Sequence, residues 1–423
     1  MSVVNEQDWP LVSLDEVGEV NRGRSRHRPR YAEHLYGGPY PFIQTGDIKQ
    51  SGGRITEYEQ TYSEAGLAQS RLWPEGAMCI TIEANIAETA ILTFPACFPD
   101  SVVGFIADES KCDVRFIEYT FRNLKRRIQH EATGSVQDNI NLGTLQRLKF
   151  QLPPLREQRA IASILGALDD KIELNRRMNA TLESLARAIF KSWFVDFDPV
   201  KINAGQLPAS SQALATHDPK VLDLFPSTFQ DSELGPIPEG WSVGRLDDLL
   251  VLQRGFDLPK KKRVEGKYPV CAAGGHHGSH NEFKVNGPGV VTGRSGVLGN
   301  VYYVHEDHWP LNTTLWVKEF KASRPIHAFH HLQGVGLKGF NAGSAVPTLN
   351  RNHVHGLPSI VPPDVVVEAF EEYVQPLFDQ HKHKHNTRES DSISNFRDTL
   401  LPQLLSGDLP VPPAFTRVEE ALV

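Results

Sequence analysis

The chain has 423 residues, 40% hydrophobic and 22% charged, with 33 Gly and 29 Pro; this excludes a disordered or fibrous protein and leaves room for about two to four domains. The net charge of −7 argues weakly against nucleic acid, yet seven acids against two bases fall between Val195 and Trp241, so the rest of the chain is close to neutral. No apolar run reaches the ~18 residues of a membrane span, and Met1 to Val12 lacks a basic region ahead of an apolar one, so a cytoplasmic protein without membrane contact is expected.

In chain order, the first basic feature is Arg22, Arg24, Arg26, Arg28 and Arg30, at every second position. In an extended segment all five would project from one face, which suits a row of phosphates, although a solvated loop has the same pattern. Gln44, Thr45 and Lys49 lie in a Gly-flanked turn from which side chains could reach base edges. Strand-like runs follow at Met78 to Ile82 and Thr89 to Phe94. Arg122, Lys125, Arg126 and Arg127 read as the polar face of a helix.

After Pro153-Pro154, the residues Ile161, Leu165, Leu168, Ile172, Asn175, Asn179, Leu182, Ala186, Ile189 and Trp193 are spaced four, three, four, three. This is a heptad seam on a helix of about 40 residues and roughly 60 Å, stopped at Asp198-Pro199. Val195 to Gly240, with six prolines, reads as a linker. In the second half Arg254, the run Lys260, Lys261, Lys262 and Arg263, then His276, His277, Arg294 and Ser295 are candidate DNA contacts. A second long helix is expected from about Asp364 to Ser406, with Phe370, Val374 and Leu377 at one end and Ile393, Phe396, Leu400 and Leu404 at the other. Pro376, Pro402 and the polar stretch His381 to Asp391 predict a kink, and Gly407 a cap.

The chain is written twice. Trp9, Leu14, Asp15, Arg22 and Gly23 recur 232 residues later as Trp241, Leu246, Asp247, Arg254 and Gly255; Tyr40, Pro41 and Gly46 recur at a displacement of 228. Gly134-Ser135, Asn141 and Pro153-Pro154 recur at 209. A steadily shrinking displacement is the mark of a diverged duplication. Two such units whose helices pack antiparallel through Ile161, Leu165, Leu168, Ile172, Asn175, Leu182, Ile189, Phe370, Val374, Leu377, Phe396 and Leu400 would be related by an approximate two-fold axis, matching the local dyads of DNA. Unlike heads would then read unlike half-sites.

Competing chemistries have little support. Val361-Pro-Pro-Asp364 and Val411-Pro-Pro-Ala414 lack the Asn/Asp and aromatic residues of a methyltransferase tetrapeptide, and Gly266-Lys267 is followed by Tyr268 rather than a P-loop hydroxyl. Asp100, Glu109 and Lys111 fit the loose pattern of a metal-dependent nuclease. Histidines cluster at 276, 277 and 280, at 327, 330 and 331, and at 381, 383 and 385, where zinc is the alternative to a surface or DNA-facing role. Cys79, Cys97, Cys112 and Cys271 have neither disulfide-framework nor zinc-ligand spacing. A protein scaffold with a helical dimerisation rod is the third alternative, and no metal is expected.

The stretches Leu152-Pro-Pro-Leu-Arg-Glu-Gln-Arg-Ala-Ile-Ala, Leu168-Asp-Asp-Lys-Ile-Glu-Leu-Asn, Phe190-Lys-Ser-Trp-Phe-Val-Asp-Phe-Asp-Pro199 and Phe396-Arg-Asp-Thr-Leu-Leu-Pro-Gln-Leu-Leu-Ser-Gly407 resemble the conserved regions of type I restriction-modification specificity subunits, and Tyr40-Pro-Phe-Ile-Gln-Thr-Gly-Asp-Ile48 resembles one class of their recognition domains. The resemblance implies an α+β protein with two α/β target-recognition domains separated by a pair of long antiparallel conserved helices. The expected boundaries are 1–154 and 239–362 for the recognition domains, 155–196 and 363–408 for the helices, 197–238 for an acidic linker and 409–423 for a tail. It implies a non-catalytic subunit that binds an asymmetric bipartite site in double-stranded DNA and recruits two methyltransferase subunits and restriction subunits. The partners, rather than this chain, would hold S-adenosylmethionine, ATP and Mg.

Overall fold

The computed structural model describes residues 9–422 apart from 28, 84, 134–139, 209–218, 343–345 and 381–385. The chain forms two compact units: residues up to Glu173 together with Ser390 onward, and Leu174–Glu389.

The first unit contains β1 (Leu11–Val12), β2 (Gly18–Arg22), β3 (Tyr36–Phe42), β4 (Arg54–Ile55), β5 (Gln60–Tyr62), β6 (Met78–Thr81), β7 (Thr89–Leu92), β8 (Val102–Ala107) and β9 (Phe150–Gln151). Its main sheet runs β2-β8-β6-β7-β4, antiparallel except for β4 against β7, while β1 pairs β9 and β3 pairs β5. Strand alternation assigns the two faces. Met78 and Ile80 of β6, with Val103 and Phe105 of β8, enter the core that includes Phe116 and Phe121 of the helix Val114–Thr133. Cys79 and Val102 enter a second core around Trp73 and Phe98, whose rings stack at 4.8 Å. Gly104 is small for a reason: a Cβ there would lie 2.4 Å from the Trp73 ring.

The second unit contains β10 (Phe229–Gln230), β11 (Ile237–Pro238), β12 (Ser242–Arg245), β13 (Leu250–Arg254), β14 (Tyr268–Ala272), β15 (Gly275–His280), β16 (Gly289–Gly293), β17 (Val301–Val304), β18 (Trp309–Pro310), β19 (Thr314–Phe320) and β20 (Pro358–Val361). Its main sheet, β13-β19-β16-β17, repeats the order β2-β8-β6-β7. The repeat extends to register. Val12 faces Phe150 as Gly244 faces Ser359, and Arg22 faces Val103 as Arg254 faces Leu315. Ile80 faces Thr89 as Thr292 faces Val301. The displacements in these pairs fall from 232 to 209 along the chain, as the sequence matches do. Gly23 and Gly255 occupy one corner: the Gly23 N–H donates to Val102 O and the Gly255 N–H to Thr314 O. A Cβ at either would lie 2.2–2.3 Å from a carbonyl oxygen.

The seam residues fall on a helix of 40 residues, Leu155–Phe194. Gln158 fixes its start, accepting from the Asp113 N–H and donating to the carbonyls of Pro153 and Lys111. In the first unit Ile161, Leu165, Leu168 and Ile172 are buried with Ile393, Leu400 and Leu404, and Phe396 packs at the rim. In the second unit Ala186, Ile189, Phe190, Trp193 and Phe194 are buried with Val366, Phe370 and Val374, and Leu377 packs at the rim. Leu182 is half-buried, and Asn175, 1% exposed, donates to Glu389 Oε2 at 3.0 Å.

Three expectations change. The distal segment forms two helices, Asp364–Gln380 and Asn386–Leu405, and His381, His383 and His385 lie outside the described residues. The segment 197–238 is not a free linker over its described part, because Phe197, Val200, Val221, Phe225 and Ile237 are buried against Trp193 and Trp241. Burying these apolar side chains outweighs the solubility of the surrounding acids and prolines. The C-terminal stretch forms the helix Val411–Leu422, whose Ala414 and Val418 enter the first unit's core. Replacing Gly104 by Val should lower the first unit's stability by about 1–3 kcal/mol through overpacking against Trp73, read as a shift in the urea midpoint followed by tryptophan fluorescence.

Candidate nucleic-acid interface

Beyond the Gly23 corner the chain stays extended, and alternation sorts its side chains: Arg22, Arg24 and Arg26 are exposed while Gly23 and Ser25 are buried. The segment is clamped from behind. The Arg24 N–H donates to Phe98 O, Ser70 Oγ donates to Arg24 O at 2.8 Å, and Gln69 Oε1 accepts from the N–H groups of Arg26 and His27 at 2.6 and 3.0 Å. Arg22 lies 3.6 Å from Glu83. Among the described residues no side-chain partner is found for Arg24 or Arg26. Arg30 leaves the row, because its guanidinium binds both Asp100 oxygens at 3.0 Å. Arg28 lies outside the described residues. Among the described residues the row consists of Arg22, Arg24 and Arg26.

Gln44, Thr45 and Lys49 belong to the start and end of the short helix Thr45–Gln50. Gln44 donates to Gln60 Oε1 at 2.8 Å, and exposed Lys49 reaches Asn85 Oδ1 at 3.2 Å, in the turn that also carries Glu83.

In the second unit Arg254 precedes the Gly255 corner as Arg22 precedes Gly23, and Lys260 and Lys261 follow it further along the chain than Arg24 and Arg26 follow Gly23. Arg254 is half-exposed and 3.8 Å from Asp257. Lys260–Lys262 form one 3-10 turn, all exposed, and among the described residues none has a side-chain partner. His276 and His277 are exposed on β15. Arg294 is withdrawn to Asn312 O at 3.0 Å, and the Ser295 N–H donates to Thr313 O, so both serve the fold.

The basic helix face is largely spent internally. Arg122 binds Glu118 at 2.9 Å and Asp169 at 3.3 Å, and Lys125 binds Glu88 at 2.8 Å. Arg127 is exposed, and the Arg126 side chain lies outside the described residues. Asp169 also accepts from Arg397 at 2.6 Å and from the Tyr119 hydroxyl at 2.7 Å, and Thr89 donates to Glu118 at 2.9 Å. Burial works to raise the Asp169 carboxyl, but the two guanidinium groups and Tyr119 hold it below the usual range. Burial wins at Glu118 and pushes it up despite Arg122. The i,i+4 spacing of Glu118 and Arg122 was a usable sequence signal; the Asp169–Arg397 pair, 228 residues apart, had none.

The nuclease residues do not assemble. Asp100 is taken by Arg30 before β8, while Glu109 and Lys111 follow it, with Lys111 on Asp108 at 3.3 Å. Six strand residues, roughly 20 Å, intervene. Among the described residues no group of three His, Cys, Asp or Glu side chains could hold a metal ion. His327 and His330 are buried among Phe190, Phe370 and other rings, with Ser323 Oγ 2.8 Å from His327 Nδ1. Among the described residues no helix is long and apolar enough to cross a membrane.

These two units, built on one register and each carrying an exposed basic segment, define a duplicated α+β fold. Residues 6–184 match the type I restriction modification DNA specificity domain. The chain is 24% identical to the MjaIX specificity subunit of Methanocaldococcus jannaschii, over 96% of this chain and 94% of that one. It is 25% identical to the HindI specificity subunit of Haemophilus influenzae, over 95% and 100%. The solved type I restriction-modification S subunit of M. genitalium shares the fold with a TM-score of 0.57, at 17% identity over 96% of this chain and 98% of that one. The chain is similar to type I restriction-modification specificity subunits over nearly its whole length.

Burial pushes the His330 imidazole down to about 4 and His327 well below its usual value. The unfolded chain therefore binds these protons first, so the stability held by the neutral rings is complete above about pH 6.5 and falls as pH drops toward 4. Replacing His330 by Leu should flatten that loss by up to ~1.4 kcal/mol per pH unit, measured by denaturant titration across the window.

Proposed function

We propose that the chain is the non-catalytic, sequence-specific DNA-binding subunit of a type I restriction-modification complex, with each head contacting one half of an asymmetric bipartite site. The observation that carries this reading is the pair of exposed basic segments. Each follows the same glycine corner of a duplicated sheet, and each leaves cations without a protein partner among the described residues: Arg24 and Arg26 in one unit, Lys260, Lys261 and Lys262 in the other. Exposed cations held on a fixed backbone suit phosphates, which position a protein on the duplex. Two methyltransferase subunits and the restriction subunits would supply S-adenosylmethionine, ATP and Mg chemistry. The expected recognition-domain boundaries, 1–154 and 239–362, belong to the same proposal.

Binding of the full chain to duplex DNA should weaken steeply with salt. Replacing Arg24 and Arg26 by Ala should reduce the slope of log affinity against log salt by about 2, at ~0.9 for each phosphate no longer neutralised. An unchanged slope would remove these arginines from the interface, and salt-insensitive or absent binding would favour the protein scaffold.

We propose further that the 40-residue helix sets the gap between half-sites. Deleting one heptad, Ile172 to Met178, shortens it by about 10 Å. Sequencing of methylated bases after co-expression with the methyltransferase subunits should show both half-sites retained and the gap shifted; an unchanged gap would refute the ruler.

A further inference from the structure

In the second unit the pairing of β14 with β15 is interrupted. Pro269 faces Ser279 and Cys271 faces His276, so His277 and Gly278 together face Val270 alone. This is a β-bulge, which adds one residue to a strand and re-aims the side chains beside it. Gly278 supplies the left-handed conformation the bulge needs, with φ +89°, and a Cβ there would meet nothing within 4 Å. Strict alternation would send one of two successive side chains inward. At the bulge His276 and His277 are both exposed, and among the described residues neither ring has a partner.

The lysine turn is fastened to this same strand. Arg263 donates through Nη1 to His277 O at 3.0 Å and through Nη2 to Leu258 O at 3.5 Å. The Val264 N–H donates to His280 Nδ1 at 3.1 Å, and the His280 ring is buried 5.2 Å from Trp309. The cations of Lys260, Lys261 and Lys262 and the two exposed imidazoles are thus held on one rigid piece. Of the four cations in the run, Arg263 is the one the fold consumes.

We propose that the bulged ribbon β14–β15 is the base-reading element of the second half-site, with His276 and His277 addressing purine edges in the major groove and Lys260–Lys262 seating the flanking phosphates. The inference rests on the DNA-binding reading above. β15 is the edge strand of the sheet β15-β14-β18, and that edge with its β14 neighbour has the width of the two-stranded ribbon the major groove admits, where purines present N7 and O6 acceptors or the N6 donor. A neutral imidazole carries one donor and one acceptor. Gly278, with open space where a Cβ would stand, adds no bulk between the ribbon's backbone and the groove.

The test is selection of bound duplexes from a randomised library by the full chain, followed by sequencing, for the wild type, His276→Ala with His277→Ala, and Lys260→Ala with Lys261→Ala and Lys262→Ala. The wild type should enrich a bipartite sequence. The histidine variant should lose roughly 10-fold or more discrimination at positions of one half only, with its affinity for random duplex reduced less than that of the lysine variant. The lysine variant should weaken binding to all sequences alike and flatten its salt dependence. Enrichment by the wild type that the histidine variant leaves intact overturns the ribbon as reader while sparing the DNA-binding reading. Failure of the wild type to enrich any sequence overturns both.

Discussion

The apolar seam of the helix Leu155–Phe194 is the constraint on which the rest depends. A helix of this length cannot bury a stripe against itself, and in isolation its stability is modest, so the seam must be covered by tertiary partners. Its first half completes the core that holds Ile393, Leu400 and Leu404, and its second half completes the one that holds Val366, Phe370 and Val374. Each unit therefore takes part of its core from the segment that follows the other copy of the repeat in sequence. Neither copy cut out of the chain by sequence position alone would keep its hydrophobic core whole.

The two copies close their cores by different physics. In the first unit Glu118, Arg122, Asp169 and Arg397 form a largely buried network tied to Thr89 and Tyr119. Such groups are costly to bury singly and tolerable only when each has its partners. In the second unit Phe190, Trp193, Phe194, Phe370 and His327 fill the junction with rings in edge and tilted contacts. The strand registers are shared, but one junction answers to charge pairing and the other to apolar area and to acid.

Negative net charge and a role on DNA are compatible because the charges are sorted by position. Arg30, Arg122, Lys125, Arg263, Arg294 and Arg397 are engaged by carboxylates or carbonyls of the fold. Arg24, Arg26 and Lys260–Lys262 stand exposed on clamped backbone. Only the second group can neutralise phosphates without first giving up an internal partner, and that difference bears more on an interface than the sum over the chain.

Periodicity carried much of the fold into the sequence. The duplication, its shrinking displacement and the four-three seam are local or translational patterns, and these the chain records directly. The alternation of Arg22, Arg24 and Arg26 was legible for the same reason. Tertiary packing decided what depends on partners distant in sequence: that Arg30 turns to Asp100, that Asp169 meets Arg397, and that Arg294 serves a carbonyl. It also decided that the acidic segment after Phe194 packs on Trp193 and Trp241, and that a bulge at Gly278 brings His276 and His277 out together. A sequence records what each residue can bind, whereas the fold determines which of those partners come within reach.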